Sequence, residues 1–149
     1  MNYIAASLLT ASLVLAPTEF TTAETEITDW SWVEVDSDLW LYAHLAAGET
    51  QFCPDDEQIN CLSVAANRVE SDMFPNTLAE VIYQDNPVQY ACTVDGNFYR
   101  EPTQRNWENA LYVVENGSQL PENVLWQSDC TQGDGVYMVT DYHVYSYSN

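Results

Sequence analysis

Few side chains in this sequence combine a reactive type with a suggestive position, and Glu49 is the sharpest of them. It falls seven residues after Tyr42 and three after Ala46, so it continues the apolar stripe of the segment that carries it. A carboxyl on such a stripe is partly stripped of water, which favours its neutral form. A carboxyl that holds its proton near neutrality can protonate a leaving oxygen as a general acid. The two histidines, His44 and His143, offer less. His44 sits on the flank of the same segment and reads as a satisfied core or surface residue. His143 lies in a tyrosine-rich stretch with Tyr142, Tyr145 and Tyr147, where a half-buried strand position and a site-lining role both fit. Ser-His-Asp or Cys-His catalysis has little to draw on with so few histidines.

The four cysteines, Cys53, Cys61, Cys92 and Cys130, include no CxxC pair, and their spacings fit no zinc module. No metal and no cofactor is expected. An even count in an exported chain suggests two disulfides, and separation alone favours Cys53–Cys61 and Cys92–Cys130.

Export is expected from the apolar run Ile4–Ala16, too short to span a bilayer but suited to a signal-peptide core. Small residues follow at Thr21-Thr22-Ala23, so residues 1–23 read as a signal peptide cleaved near Ala23, and the mature protein as secreted or periplasmic. Residues 24–37 form an acidic arm whose Trp30 and Trp32 pack on the domain that follows. Residues 38–149 are that domain, of a length that supports one core. Three arginines and no lysine stand against 23 acids, a formal net charge of −20. Counterion release cannot then drive binding to phosphates, which argues against nucleic acid; an anionic membrane surface is disfavoured for the same reason.

The elements that must position these residues follow from periodicity and punctuation. A first helix starts at Asp38, capped by Ser37 or Asp36, and runs through Gly48 and Glu49. A second is predicted from about Asp55 to Glu70. Its acidic first turn suits the helix dipole, and its apolar residues on most sides mark it as the central, most buried helix. Thr77 and Glu80 form a capping-box pattern at the head of a short third helix. Asp95-Gly96 marks a turn. Pro102 and Gly117 bracket a further helix with Trp107, Ala110, Leu111 and Val114 inward. After Pro121, NVLWQS, GVYMVT and YHVYSYS alternate in strand fashion, and Gly133-Asp134-Gly135 is expected to turn a hairpin. Helices first and a small antiparallel sheet last make an α+β architecture.

The stretches LYAHLAAGET, INCLSVAANRV, FPNTLAEVIYQ and QYACTVDGNFY together resemble the SleB/CwlJ-type cell wall hydrolase domain, the family of spore-cortex-lytic enzymes and related peptidoglycan hydrolases. The resemblance runs from about Leu39 to the C-terminus. It implies a lysozyme-like α+β domain that cleaves peptidoglycan glycan strands as a lytic transglycosylase, with Glu49 matching the catalytic glutamate. Gln89 and Tyr90 fall where the family has its cleft-lining glutamine and aromatic. Asn67 and Arg68 match an Asn-Arg pair that braces the site, with Asn67 also at the substrate and Arg68 held by Glu70 or Glu80. His143 matches a strand histidine, which favours the cleft-lining role. Trp126, Tyr42 and Phe98 are candidates for stacking on sugar faces.

Departures accompany the match. Thr-Gln-Phe-Cys-Pro stands after Glu49 where Arg-Gly-Glu is common, and a later Asn-Pro is missing. The implied partner is the glycan strand, met by a monomer without the membrane. The competing expectations are a non-catalytic peptidoglycan-binding module and an N-acetylmuramoyl amidase; the paucity of histidines opposes the second.

Overall fold

The computed structural model describes residues 26–149. The expected signal segment and its cleavage point lie outside the described residues. The elements are α1 (Asp38–Glu49), α2 (Asp55–Glu70), α3 (Leu78–Ile82), α4 (Cys92–Asp95), a 3-10 turn (Asn97–Tyr99), α5 (Gln104–Asn116), β1 (Val124–Ser128), β2 (Gly135–Val139) and β3 (Val144–Tyr147). Among the described residues no helix is long and apolar enough to cross a membrane.

Helix starts follow the caps expected from the sequence. Ser37 Oγ accepts the Trp40 amide at the head of α1, and Thr77 Oγ1 accepts the Glu80 amide at the head of α3. Thr103 and Asn106 close a reciprocal capping box on α5, so Pro102 stands just outside that helix rather than in its first turn. Helix α2 has no side-chain cap. Three acids in its first turn, Asp55, Asp56 and Glu57, face the positive end of the dipole instead.

The most buried helix is α1, not α2. Leu39, Leu41 to Ala47 are all buried, and α2, α3, α4, the 3-10 turn and α5 all touch it. Ala43, Ala46, Ala47 and Gly48 are small enough to let neighbours approach from every side. Helix α2 has a solvent face at Asp56 and Glu70, and its buried face is polar in places, with Gln58, Ser63, Asn67 and Arg68 all enclosed. Most of those groups have specific partners, Arg68 Nη1 being an exception. Gln58 donates to the Cys53 carbonyl at 3.0 Å and accepts from Asn106 and Asn109 of α5 at 2.8 and 3.1 Å. On α5 the inward stripe is Trp107, Ala110 and Val113, while Leu111 is half-buried and Val114 exposed. Of the arm's indoles, Trp30 stacks on Trp107 with ring centroids 5.5 Å apart and donates to Gln104, whereas Trp32 points into solvent.

The sheet is antiparallel in the order β1-β3-β2. No hairpin therefore forms at Gly133-Asp134-Gly135; that loop carries the chain past β3, and the hairpin is β2–β3, turned at Thr140–His143. Gly133 has φ +61, and a Cβ there would lie 2.5 Å from the Tyr147 carbonyl oxygen, so the crossing needs glycine.

The cysteines are unbridged, contrary to the expected pairs. Cys61 is enclosed mid-way along α2, Cys53 lies in the α1–α2 loop, Cys92 is walled in by Gly48, and Cys130 is exposed on the loop after β1. Burial raises the Cys61 and Cys92 thiols well above the usual range, with the charge of Glu49 adding to the effect. A thiol reagent applied to the native protein is expected to label Cys130 first, then Cys53, and to reach Cys61 and Cys92 only on unfolding. Peptide mapping after timed alkylation reads the order; an unreactive Cys130 in the native protein contradicts it.

Candidate active site

Glu49 closes α1 beside the α1–α2 loop. It is half-buried, and its Oε1 accepts the backbone N–H of Cys92 at 3.2 Å, with the Cys92 thiol also within hydrogen-bond reach. Gly48 makes this approach possible: a Cβ there would sit 2.7 Å from Cys92 Cβ and 3.3 Å from Phe98 Cα. Tyr90, two residues before Cys92, is buried, and its phenol is raised by burial and by the nearby charge of Glu49. The thiols and the phenol thus stay neutral around the carboxyl.

Arg68 is 3% exposed, and among the described residues no carboxylate holds it. The expected partners, Glu70 and Glu80, are replaced by aromatic faces. The guanidinium lies 4.9 Å from the Phe74 ring centroid, 5.1 Å from Tyr90 and 5.6 Å from Trp126, and its Nε donates to the Leu125 carbonyl at 2.8 Å. Three ring faces supply part of what a carboxylate would, each worth about 0.5–2 kcal/mol, while Nη1 has no hydrogen-bond partner among the described residues. Trp126 and Tyr90 are therefore walls of the Arg68 cage before they are sugar platforms. Trp126, half-buried, also donates to Ser148 at 2.9 Å. Asn67 donates to the carbonyls of Pro121 and Val124, which ties α2 to β1 and fits the bracing role.

His143 caps the β2–β3 turn and places Nδ1 2.5 Å from Glu57 Oε1; the Tyr145 hydroxyl donates to the same oxygen at 2.7 Å. Glu57 is only 2% exposed. It was legible in the sequence only as one of three first-turn acids. The sharper signal was its place four residues before Cys61, on the face that α2 buries. His44 is the satisfied core histidine expected: Nδ1–H donates to the Phe98 carbonyl at 2.8 Å, and the ring packs on Trp40. Phe98 is fully buried and belongs to the core, not to a sugar platform. Gln89 is half-buried on the loop before Tyr90, its amide near the Pro87 carbonyl.

Burial lowers the His44 pKa. Below about pH 6.5, the ordinary histidine value, the unfolded chain then binds a proton that the folded chain refuses. The stability contributed by neutral His44 is full above that pH and is lost as pH falls toward the depressed folded value. His44→Asn, which keeps a donor for Phe98, is expected to flatten this component. The difference in thermal midpoint between wild type and variant should shrink from pH 7 to pH 5.5; a constant difference contradicts the assignment.

Tyr42 does not join Glu49. Its side chain lines a cavity of about 480 Å³ with Asp38, Asn67 and Glu70, toward the opposite end of α1. The seven residues between Tyr42 and Glu49 correspond to about 10.5 Å of helix rise. Glu49, Tyr90, Cys92 and Cys61 form one neighbourhood; Tyr42 and Asn67 open on another.

With this geometry in place, the Cell Wall Hydrolase family model matches residues 54–138, more than half of the chain. The chain belongs to that family. The spore cortex-lytic enzyme of Bacillus subtilis (strain 168) is 31% identical over 90 residues, which cover 60% of this chain and 28% of that protein. The spore cortex-lytic enzyme of Oceanobacillus iheyensis is 30% identical over 90 residues, 60% of this chain and 32% of that one. The match thus spans less than a third of these relatives' length. Among solved structures, the catalytic domain of the Bacillus cereus SleB protein superposes with a TM-score of 0.61 at 23% identity, covering 72% of this chain and 88% of that one. The catalytic domain of the germination-specific lytic transglycosylase SleB from Bacillus anthracis gives 0.58 at 21%, covering 76% and 98%. This cell wall hydrolase domain therefore has the α+β, lysozyme-like fold of the SleB catalytic domains. The family match begins at Pro54, five residues beyond Glu49, so it carries α2 onward and leaves the acid to be argued from its surroundings.

Proposed function

We propose that this cell wall hydrolase cleaves the N-acetylmuramic acid–N-acetylglucosamine bond of peptidoglycan as a lytic transglycosylase, with Glu49 as its single acid and base, after export from the cytoplasm. The observation that carries the reading is Glu49 itself. It is a half-buried carboxyl at the end of the most enclosed helix, with one oxygen fixed by the Cys92 amide and only neutral groups among the thiols and phenol around it.

The steps balance without water. Glu49 gives its proton to the glycosidic oxygen as the bond to C1 of the muramyl sugar breaks and an oxocarbenium-like centre develops. The carboxylate left behind takes the proton of the C6 hydroxyl of the same sugar. That oxygen closes on C1, giving a 1,6-anhydro ring and restoring the acid. Proton transfer of this kind contributes roughly a hundred- to ten-thousand-fold. The Cys92 amide keeps the carboxyl pointed along one line, so the same group serves both transfers. Gln89 contacts sugar from the loop beside the site, and His143, held by Glu57, borders the cleft from the sheet side.

Digestion of purified peptidoglycan followed by mass spectrometry tests the reading. Anhydro-muropeptides support it. Reducing ends indicate hydrolysis by a water-activating group, released stem peptides indicate an amidase, and intact glycan indicates a binding module; each of these three overturns it.

A further inference from the structure

The cavity that Tyr42 lines lies apart from Glu49 and has a composition of its own. Its wall is apolar, with Val69 and Val113, while Asp38 and Glu70 supply carboxylates. Tyr42 is 7% exposed, and its hydroxyl has no hydrogen-bond partner among the described residues although it borders open space. A phenol this enclosed normally finds a partner. Burial first, then Asp38, Tyr90 and Glu70, raise its pKa, so both carboxylates act on it. Neither acid makes an ion pair among the described residues. Glu70 moreover stands in the last turn of α2, where the helix dipole disfavours a negative charge. Two carboxylates without an ion-pair partner and a tyrosine hydroxyl without a protein partner, set around an apolar hollow, fit a cation with an aliphatic stem. Among the described residues no group of three His, Cys, Asp or Glu is placed to hold a metal ion, which favours an organic cation.

We propose that this cavity binds a primary alkylammonium group, supplied by the diamino acid side chain of a peptidoglycan stem peptide. The ammonium meets Asp38 and Glu70, the Tyr42 hydroxyl oxygen accepts a hydrogen bond from it, and the methylenes lie on Val69 and Val113. The stem-peptide source rests on the proposed substrate; the amine site does not. Reach is consistent, since three extended residues span about 10 Å and Tyr42 is about 10.5 Å of helix rise from Glu49.

The test uses the whole chain as Glu49→Gln, so that binding is read without cleavage, with 1,5-diaminopentane as probe and 1-pentanol as the neutral control. Amide shifts in an NMR titration are expected to cluster at Tyr42, Val113 and Gly117. Glu70→Gln and Asp38→Asn together should weaken binding at least about tenfold, the scale of a lost charged hydrogen bond. Because Asp38 also begins α1, Glu70→Gln alone is the second variant and should weaken binding several-fold. Shifts scattered over surface acids, unchanged affinity in the variants, or equal binding of 1-pentanol overturn the site. Acetylating the free amines of purified wall should weaken retention by the Glu49→Gln protein and make no difference once Glu70→Gln is added. If diaminopentane binds the cavity but acetylation is without effect, the stem-peptide source falls and a free polyamine takes its place. If wild type cuts wall yet diaminopentane leaves the cavity unperturbed, only the amine site falls; the reverse result removes only the glycan-cleavage reading.

Discussion

Replacing Glu49 by Gln is expected to lower the rate of glycan cleavage by about a hundred- to ten-thousand-fold. The amide has nearly the carboxyl's shape and keeps an oxygen to accept the Cys92 N–H at the 3.2 Å site. It cannot deliver or take up the proton. The fold should therefore be untouched, with a thermal midpoint within about 2 °C of wild type, less than the effect of 1 kcal/mol on a domain of this size. A second readout separates proton chemistry from mere shape. Glu49→Asp, which keeps a titratable carboxyl on a side chain one methylene shorter, should retain more cleavage than Glu49→Gln, whereas both should bind wall alike. Retained cleavage, or loss of cleavage together with a large fall in the midpoint, would sink the assignment.

The second large effect belongs to Gly48. Two terms of opposite sign compete in Gly48→Ala. Alanine in a helix interior gains about 1 kcal/mol over glycine. Against this, the new methyl would lie 2.7 Å from Cys92 Cβ, 2.9 Å from its sulfur and 3.3 Å from Phe98 Cα. The sulfur can rotate away, but the other two are fixed to backbone. Overpacking at such a site costs typically 1–3 kcal/mol, occasionally more. We expect the clash to win, lowering the thermal midpoint by about 5 °C. The displaced segment carries the amide that orients Glu49, so kcat should drop by about tenfold to a hundredfold, the scale of a 1 Å misplacement. A Gly48→Ala protein that melts higher and cuts normally would show that α4 does not pack against the end of α1.

Much of the secondary structure was legible in the sequence, because local groups decide where helices begin. Ser37, Thr77 and Thr103 each accept an amide near the helix start, and such a bond is made before any tertiary contact. The alternation after Pro121 marked the strands in the same way. What stayed illegible depends on partners remote in the chain. The order β1-β3-β2 has no local signature, since β3 pairs as well with either neighbour by pattern alone. Disulfide pairs chosen by separation failed because bridging needs a particular Cα distance, on which spacing is silent. Arg68 shows a related limit. One of only three cations in an acidic chain suggests a carboxylate partner, yet Phe74, Tyr90 and Trp126 come from three separate segments to enclose it. The place of Glu49 on the stripe of α1 was legible from periodicity, but its neighbours Cys92, Tyr90 and Cys61 come from other segments. Tyr42 shares that stripe but stands too far along it to share the site.

β3 follows β1 and β2 in the chain yet lies between them in the sheet, which delays sheet formation during synthesis. Until Val144–Tyr147 have emerged, β1 and β2 have nothing to bind, and neither His143 nor Tyr145 is present to hold Glu57. A nascent chain can build its helices before the sheet exists. The sheet and the two hydrogen bonds to Glu57 are then completed in one step, when β3 inserts between its two neighbours.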